Sequence, residues 1–358
     1  MTRTTMPTRR ILAAAAVAAL TLSGCSLAGD GDDAPRTGGE APTEVVLLAH
    51  DSFSLPEELV EQFETESGQE LVVRSSGDAG SLATSLALTA GNPTGDVVFG
   101  IDNTYASRPL DAGVFAPYEG TRAPGSEQYE LPGGEAELTP VDTASVCVNI
   151  DTTWFEKEGV EPPVTLDDLA EPAYRDLMVT PAPTTSSPGM AFLLTTVAAF
   201  GEDWSGYWQR LLDNGLKVVD GWNDAYYTDF TAGGEKGRRP IVVSYDSSPA
   251  FTVSKDGSSS TTAALLDTCF EQVEYAAVLE GTENTEGARA LVDFLSSPEV
   301  QAALPESMYV FGVSEEAELP RDWARFATQP EKPYTVEPAE IAKNREAWLT
   351  EWTDLQSR

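Results

Sequence analysis

The chain has 358 residues and is strongly acidic, with 58 Asp and Glu against 22 Lys and Arg and a formal net charge of −36. Such a surface repels phosphates, which argues against nucleic acid as a partner. A hydrophobic content of 41% with seven Trp is typical of a globular protein with a substantial core. The single histidine, His50, excludes zinc sites built from several histidines and leaves little for Ser-His-Asp catalysis.

The N-terminal residues 1–24 have the pattern of a secretory signal peptide: arginines, then the short apolar run 11–20, then small residues. The run is shorter than the ~20 apolar residues that a bilayer span requires. Leu-Ser-Gly-Cys at 22–25 resembles the lipobox of bacterial lipoproteins, whose cysteine is acylated after cleavage just before it. The resemblance implies a mature chain that begins at Cys25 and is anchored by lipid to the outer face of the cell membrane. An ordinary secreted protein is the alternative.

A change of composition separates this leader from the rest of the chain. Residues 25–43 are rich in Gly, Asp, Ala and Pro and cannot bury apolar surface. They therefore predict a flexible spacer between the lipid and a folded domain. The residues from 44 onward are numerous enough for two lobes.

Apolar runs and helical patterns alternate along this domain. The predicted strands cover residues 44–49, 70–74, 96–101, 141–150, 216–219, 241–245 and 271–276. The predicted helices cover residues 56–64, 82–89, 190–200, 225–230, 286–294 and 339–353. Strands that alternate with helices indicate an α/β fold with a mainly parallel sheet.

Two cysteines remain once Cys25 is assigned to the lipid. Cys147 lies in a predicted strand and Cys269 lies just before another. An extracellular compartment permits a disulfide between them. The bond would close a loop of roughly 120 residues and constrain the unfolded chain by up to about 4–5 kcal/mol. We predict the disulfide, and two buried free thiols are the alternative.

Several residues at strand ends and helix starts are candidates for a ligand site. Trp222 follows a strand, where α/β clefts form, and its indole can stack on a ring or hold a cation. Ser186 and Ser187 precede an apolar helix, a position that caps the helix or binds an anion. Asp78 in a Gly-rich turn is an N-cap or a partner for a ligand charge. Core packing is the alternative for Trp222.

Three more candidates follow from the same pattern. Tyr245 ends the strand 241–245, and Asp102 closes the strand 96–101 and faces the expected cleft. Tyr226 follows Trp222 at the spacing of one helical turn, so core packing is again the alternative.

Taken together, these segments resemble the substrate-binding proteins of bacterial thiamine ABC importers. The resemblance covers about residue 44 to the C-terminus, and the order and spacing of the short matching stretches make it specific. The stretches are Asp51-Ser52-Phe53, residues 96–103, Thr185-Ser186-Ser187-Pro188-Gly189, Gly221-Trp222-Asn223-Asp224-Ala225-Tyr226, Val243-Ser244-Tyr245, Ser248-Pro249-Ala250, Met308-Tyr309, residues 338–348 and Glu351-Trp352.

The resemblance implies a two-lobed periplasmic-binding-protein fold of the type II kind, with a ligand cleft between lobes joined by two crossover strands. Lobe one would comprise residues 44–142 and 271–358, and lobe two residues 143–270. Cys147 and Cys269 would then lie side by side near the crossovers, which supports the disulfide. The implied protein is a monomer without catalytic activity, cofactor or metal. It captures thiamine or a thiamine phosphate ester by lobe closure and delivers it to an ABC importer permease.

The resemblance also assigns roles to individual residues. Trp222 matches a tryptophan of the family's site, and Ser186 and Tyr245 match residues that meet the ligand phosphate. Asp78 matches a binding-site Asp-Gly pair, although Ala79 stands here in place of the glycine.

The chain departs from the family pattern at three positions. His50 replaces a stacking tyrosine, and a surface or capped histidine is its alternative role. Phe251 replaces another tyrosine, which keeps the ring and loses the hydroxyl. Ser307 stands where the family often has a tryptophan.

Two other functions remain open on sequence grounds. The same fold can bind ferric iron, a polyamine or a phosphonate. Ferric binders carry two consecutive tyrosines at the strand that holds Tyr245, whereas here Asp246 follows Tyr245. They can also carry a histidine ligand where His50 lies. An extracellular hydrolase is the third possibility, since the many acids allow a catalytic pair, although no pattern singles one out.

Overall fold

The computed structural model describes residues 43–234 and 236–358. The predicted signal peptide 1–24, the predicted lipidation site Cys25 and nearly all of the predicted spacer 25–43 lie outside the described residues. From residue 44 onward the described chain forms one compact unit. No helix among the described residues is long and apolar enough to cross a membrane.

Within the described residues nine strands form one mixed sheet. They are β1 Thr43–Ala49, β2 Gln69–Ser75, β3 Val97–Asp102, β4 Thr139–Asp151, β5 Met178–Pro181, β6 Lys217–Val219, β7 Ile241–Tyr245, β8 Thr262–Val278 and β9 Phe311–Gly312. Their order across the sheet is β2-β1-β3-β8-β4-β7-β5-β6, and β9 pairs with β4.

Helices flank this sheet on both sides. They are α1 Glu57–Ser67, α2 Ala79–Leu88, α3 Ser107–Asp111, α4 Thr152–Glu158, α5 Ser187–Phe200, α6 Trp204–Asp213, α7 Ser248–Phe251, α8 Thr285–Leu295, α9 Pro298–Met308, α10 Arg321–Phe326 and α11 Pro338–Gln356. A π-helical turn spans Asp224–Asp229, and short 3₁₀ turns span Ser126–Tyr129, Asp168–Ala170, Pro172–Tyr174 and Gly201–Asp203.

The sheet is parallel at its two ends and antiparallel in the middle. β1 runs parallel to β2 and β3, and β5 runs parallel to β6 and β7. The long strands β4 and β8 pair antiparallel with each other and with β7 and β3 respectively. The prediction of a mainly parallel sheet is therefore right for the ends and wrong for the centre. Alternating strands and helices reveal βαβ units, but they do not reveal two long strands that pair directly.

Strand β1 shows why continuous apolar runs mark the buried strands. Successive side chains of a strand point to opposite faces. Val45 and Leu47 belong to one apolar core with residues of α1 and α8, whereas Val46 and Leu48 belong to a second core with residues of α2. Both faces of β1 are therefore covered, as in strands of parallel sheets that helices flank on both sides.

Helix α1 shows how local signals fix an element. Glu57 and Glu58 lie in its first turn, where the helix dipole favours acids. Gly68 ends the helix with a left-handed φ of 69°, and its N–H donates to the carbonyl of Glu64. Glycine adopts this conformation without a steric penalty, so α1 ends there rather than at the predicted residue 64.

The predicted disulfide between Cys147 and Cys269 is confirmed. Cys147 lies in β4 and Cys269 in β8, their Cα atoms are 4.1 Å apart, and both side chains are buried. The bond therefore ties together the two central strands through cysteines that are 122 residues apart in the sequence.

Candidate ligand-binding site

A cavity opens where strands β1 and β7 end, beside the middle of β8. Seven of the predicted site residues line it, and Ser186 and Asp102 lie behind it. The lining residues are His50, Ser52, Asp78, Ala79, Ser187, Trp222, Tyr226, Tyr227, Tyr245, Ser248, Phe251, Glu274, Met308, Tyr309 and Val310.

Trp222 forms the centre of an aromatic wall. Its ring stacks on Tyr226 with centroids 5.0 Å apart and planes 20° from parallel. Its indole Nε1–H donates to the Ser244 hydroxyl at 2.9 Å, and the side chain is 9% exposed. Both suggestions for Tyr226 apply, because the ring is buried in a small core with Trp222 and also lines the cavity.

The π-helical turn Asp224–Asp229 shapes this wall. A turn of this kind is wider than an α-helical turn and is frequent at functional sites. It brings Tyr227 edge-on to Trp222, with ring centroids 5.3 Å apart, next to the stacked Tyr226. The periodicity predicted an ordinary helix here, so Tyr227 was missed as a lining residue.

Phe251 of α7 and Tyr309 after α9 form the outer part of the wall. Their ring centroids are 4.4 Å apart. Tyr309 has a φ of 59°, which is a left-handed conformation that strains a bulky residue. The Ser247 hydroxyl donates to its carbonyl at 2.6 Å and helps to hold it. Tyr309 and Met308 belonged to the family resemblance but not to the predicted site. Their placement at the end of a helix gave no chemical signal.

The Asp78 carboxylate links three parts of the site. It accepts hydrogen bonds from the N–H groups of Ala79 at 2.7 Å, Trp222 at 2.9 Å and Ser187 at 3.3 Å. Asp78 is thus the N-cap of α2 and also lines the cavity. Burial raises its pKa, and the hydrogen bond from the Trp222 N–H opposes that rise.

Ser186 and Ser187 are neighbours in the sequence, but only one of them reaches the cavity. Ser186 is the N-cap of α5 and is fully buried behind the cavity, whereas Ser187 lines it. The Ser187 hydroxyl donates to Asp102, whose other carboxylate oxygen accepts from the N–H and hydroxyl of Thr104. Burial raises the pKa of Asp102 to about 7. Asp102 therefore supports Ser187 from behind and does not reach the cavity.

His50 pairs with a residue that the sequence did not single out. Its Nε2 lies 3.6 Å from a carboxylate oxygen of Glu274. Its Nδ1 accepts the Ser52 N–H at 3.2 Å, so in the neutral ring the proton sits on Nε2 and faces Glu274. Burial lowers the pKa of His50, but the carboxylates of Glu274, Asp78 and Asp51 together outweigh burial and the net shift is upward.

The cavity is aromatic and negatively charged. Asp78 and Glu274 contribute carboxylates, and no Lys or Arg stands among the described residues that line it. Burial raises the pKa of Tyr245 well above its usual value, which keeps its phenol neutral. Aromatic faces and carboxylates in one cavity attract an organic cation.

The described residues do not assemble a metal site. No group of three or more His, Cys, Asp and Glu among them is arranged to hold a metal ion. Tyr245 and His50 do share the cavity, as the iron interpretation requires, but Asp246 is buried and does not line it.

The fold and this cavity define a protein that encloses a solute. The family model of the bacterial extracellular solute-binding proteins matches residues 50–302, and the chain belongs to this family. It is 29% identical over 321 residues to the thiamine-binding periplasmic protein of Escherichia coli K12, covering 88% of this chain and 94% of that protein. It is 27% identical over 329 residues to the protein of the same name from Brucella melitensis, with coverage of 89% and 94%.

Solved structures agree. A periplasmic thiamin binding protein superimposes with a TM-score of 0.78 at 27% identity, covering 90% of this chain and 98% of that one. A ferric binding protein from Campylobacter jejuni, at 16% identity and a TM-score of 0.67, shares the fold over 87% of this chain. The predicted periplasmic-binding-protein fold is confirmed. The lobe boundaries 44–142 plus 271–358 and 143–270 stay predictions.

Proposed function

We propose that this solute-binding protein captures thiamine outside the cytoplasm and delivers it to an ABC importer. The observation that carries the proposal is the cavity that combines a wall of aromatic rings with buried carboxylates and no lining Lys or Arg among the described residues. Thiamine consists of two aromatic rings, one of which is a permanently cationic thiazolium. The names of the relatives from Escherichia coli and Brucella melitensis support the same ligand.

The aromatic wall binds the ligand by stacking and cation–π contact. Trp222 is held in a fixed orientation by its bond to Ser244 and by the Tyr226 ring beneath it. A preorganised ring loses little entropy when the ligand arrives. Phe251 and Tyr309, the outer part of the same wall, extend the aromatic surface that contacts the ligand.

Lobe closure completes the site. With the predicted lobe boundaries, the cavity lining comes from both lobes. Lobe one contributes His50, Ser52, Asp78, Ala79, Glu274, Met308, Tyr309 and Val310, and lobe two contributes Ser187, Trp222, Tyr226, Tyr227, Tyr245, Ser248 and Phe251. A hinge motion about the crossovers β4 and β8 would then open the cavity for entry and close it for transport.

The protein acts as a monomer anchored by the lipid on Cys25, after removal of residues 1–24. The lipobox-like residues 22–25 and the spacer composition support this part of the proposal. Capture and delivery need no covalent step, so thiamine should be recovered unchanged after binding. Conversion of bound thiamine into a product would favour the hydrolase interpretation instead.

Isothermal titration calorimetry tests the proposal. The chain from Glu44, freed of ligand by unfolding and refolding, is titrated with thiamine, thiamine monophosphate and thiamine diphosphate. We expect saturable one-to-one binding of at least one of them, and the three affinities rank the forms. Absence of heat with all three would contradict the proposal.

A polyamine is the second candidate, because the same carboxylates and rings suit an alkyl ammonium. Titration with spermidine in the same instrument separates the two. Binding of spermidine without binding of thiamine would move the assignment to polyamines. An Fe(III)–tyrosinate band after addition of ferric iron would move it to iron.

A further inference from the structure

Three carboxylates form a row across the middle of the sheet, next to the cavity. Glu274 of β8 pairs in register with Asp102 of β3 on one side and with Asp142 of β4 on the other. Residues directly opposite each other on neighbouring strands carry their side chains on the same face, with Cβ atoms ~5 Å apart. The row therefore concentrates three acids on one face of the sheet.

The row is buried, and its like charges are mutually unfavourable. Asp102, Asp142 and Glu274 are 0%, 1% and 6% exposed. No N–H or hydroxyl group of the described residues donates to either carboxylate oxygen of Asp142, and its one side-chain hydrogen-bond contact is with the carboxyl group of Glu274. Burial and the neighbouring Glu274 raise the pKa of Asp142 well above its usual value. Like charges that face each other across strands destabilise a sheet, so the row needs a proton or a cation to balance it.

One member of the row reaches the cavity. Glu274 lines it together with Trp222 and Tyr226, whereas Asp102 and Asp142 do not. The Tyr226 side chain is 1% exposed, and its hydroxyl lies near that of Ser248, another lining residue. His50 is the basic side chain beside Glu274, at 3.6 Å. A buried carboxylate, hydroxyl groups and aromatic rings thus converge on the same space.

We propose that Glu274 is the specificity-determining residue that binds the positive charge of the ligand, and that Asp102 and Asp142 strengthen this selection from behind. A cation relieves the repulsion within the row, whereas a neutral molecule of the same shape leaves it in place. The cavity therefore discriminates by charge and not by ring shape alone. This inference rests on the proposed function, with thiamine as the cation.

The test compares two ligands that differ in charge alone. Thiamine and its thiophene analogue, in which a neutral ring replaces the thiazolium, are titrated at pH 8 into the wild type and Glu274→Gln. In the wild type we expect thiamine to bind at least about 30-fold more tightly than the analogue, as for a buried charge pair. In Glu274→Gln the thiamine affinity should fall by at least about 30-fold, and the affinity for the analogue should stay within about threefold.

Glu271→Gln is the matched control. Glu271 lies three residues earlier on β8, so its side chain points to the opposite face, and it does not line the cavity. The same chemical change there should leave both affinities unaltered. Asp142→Asn is a second variant, which should weaken thiamine binding by less than Glu274→Gln does and should leave the analogue unaffected.

The outcomes are distinguishable. Unchanged thiamine affinity in Glu274→Gln, or an equal loss for both ligands, would overturn the charge-binding role and leave thiamine capture intact. A wild type that binds neither ligand would overturn the proposed function, and the inference with it. Thermal melting of each variant checks the fold. The amide removes repulsion within the row but also removes the ionic partner of His50, so a cooperative transition and not an unchanged melting temperature shows that Glu274→Gln is folded. If it fails to fold, Asp142→Asn carries the test.

Discussion

The two walls of the cavity are built from different kinds of structure. The aromatic wall comes from short, irregular elements: the π-helical turn Asp224–Asp229, the short helix α7 and the left-handed residue Tyr309. The acidic wall is Glu274 of β8, which lines the cavity, together with Asp102 of β3 and Asp142 of β4, which stand in register behind it. The first wall is partly exposed, and the second is buried.

The difference follows from what each interaction requires. Stacking depends on contact area and tolerates small displacements, so it can be supplied by loops and short helices at the rim. Buried like charges are favourable only with a cation held at a defined distance, since electrostatic energy in a low-dielectric site changes steeply with separation. Paired strands supply that rigidity, and the Cys147–Cys269 disulfide reinforces it by joining β4 to β8.

The disulfide carries the largest expected effect. Replacing both Cys147 and Cys269 with alanine should lower the free energy of unfolding by about 4 kcal/mol, because a loop of 122 residues is no longer closed in the unfolded chain. Chemical denaturation of the ligand-free protein measures this. A reducing agent should destabilise the wild type and have no effect on the double variant. Equal free energies of unfolding for the wild type and the double variant would show that the disulfide does little to hold β4 and β8 together.

Removal of the central ring of the aromatic wall should have the next largest effect. Trp222→Ala should weaken thiamine binding by about 100-fold, since it removes the stacking face and leaves Ser244 without its indole donor. Titration calorimetry measures the loss. Trp154→Ala changes a tryptophan that does not line the cavity and serves as the control. Equal affinities for the two variants would contradict the role of the aromatic wall.

The acidic wall should make binding depend on pH. Burial raises the pKa of Asp102 from 3.8 to about 7, and the pKa values of Asp142, Asp78 and His50 are also raised. Below about pH 7 Asp102 holds a proton that binding of a nearby cation must displace, and the raised pKa values of the other three groups act in the same direction. Thiamine affinity should therefore rise by about tenfold between pH 5.5 and 8, with Tyr245 neutral throughout.

The stability of the ligand-free protein should change in the opposite direction. A carboxyl whose pKa is raised by folding binds its proton more tightly in the folded state, so that stability is lost as pH rises through the folded pKa. The raised pKa of His50 likewise makes the folded protein less stable as the pH rises. The melting temperature should fall by a few degrees between pH 5.5 and 8. A binding affinity independent of pH in this range would contradict a proton-bearing row.

The smallest effect is expected at the rim. Phe251 is 42% exposed, so Phe251→Ala should weaken thiamine binding by about fivefold and leave the free energy of unfolding within about 0.5 kcal/mol of the wild type. Leu88→Ala, at an apolar side chain 76% exposed and remote from the cavity, is the control for both measurements. A loss as large as that of Trp222→Ala would show that the rim, and not the stacked pair, holds the ligand.

Local signals in the sequence determined much of this molecule. The apolar run 241–245 predicted β7 with its observed bounds, because a short buried strand is encoded by consecutive apolar residues. Trp222 was recognisable as a candidate because it follows a strand, and Asp78 because it precedes a helix. The two remaining cysteines in an exported chain indicated their own pairing.

The tertiary structure alone revealed the second carboxylate of the site, Glu274. Glu274 stands within the apolar stretch Val273-Glu274-Tyr275-Ala276, where nothing local distinguishes it from an exposed acid on an edge strand. Its role arises only when β8 pairs with β3 and β4 and aligns it with Asp102 and Asp142, which are more than a hundred residues away in sequence. Register between distant strands is set by the packing of the whole sheet, so a local pattern cannot contain it.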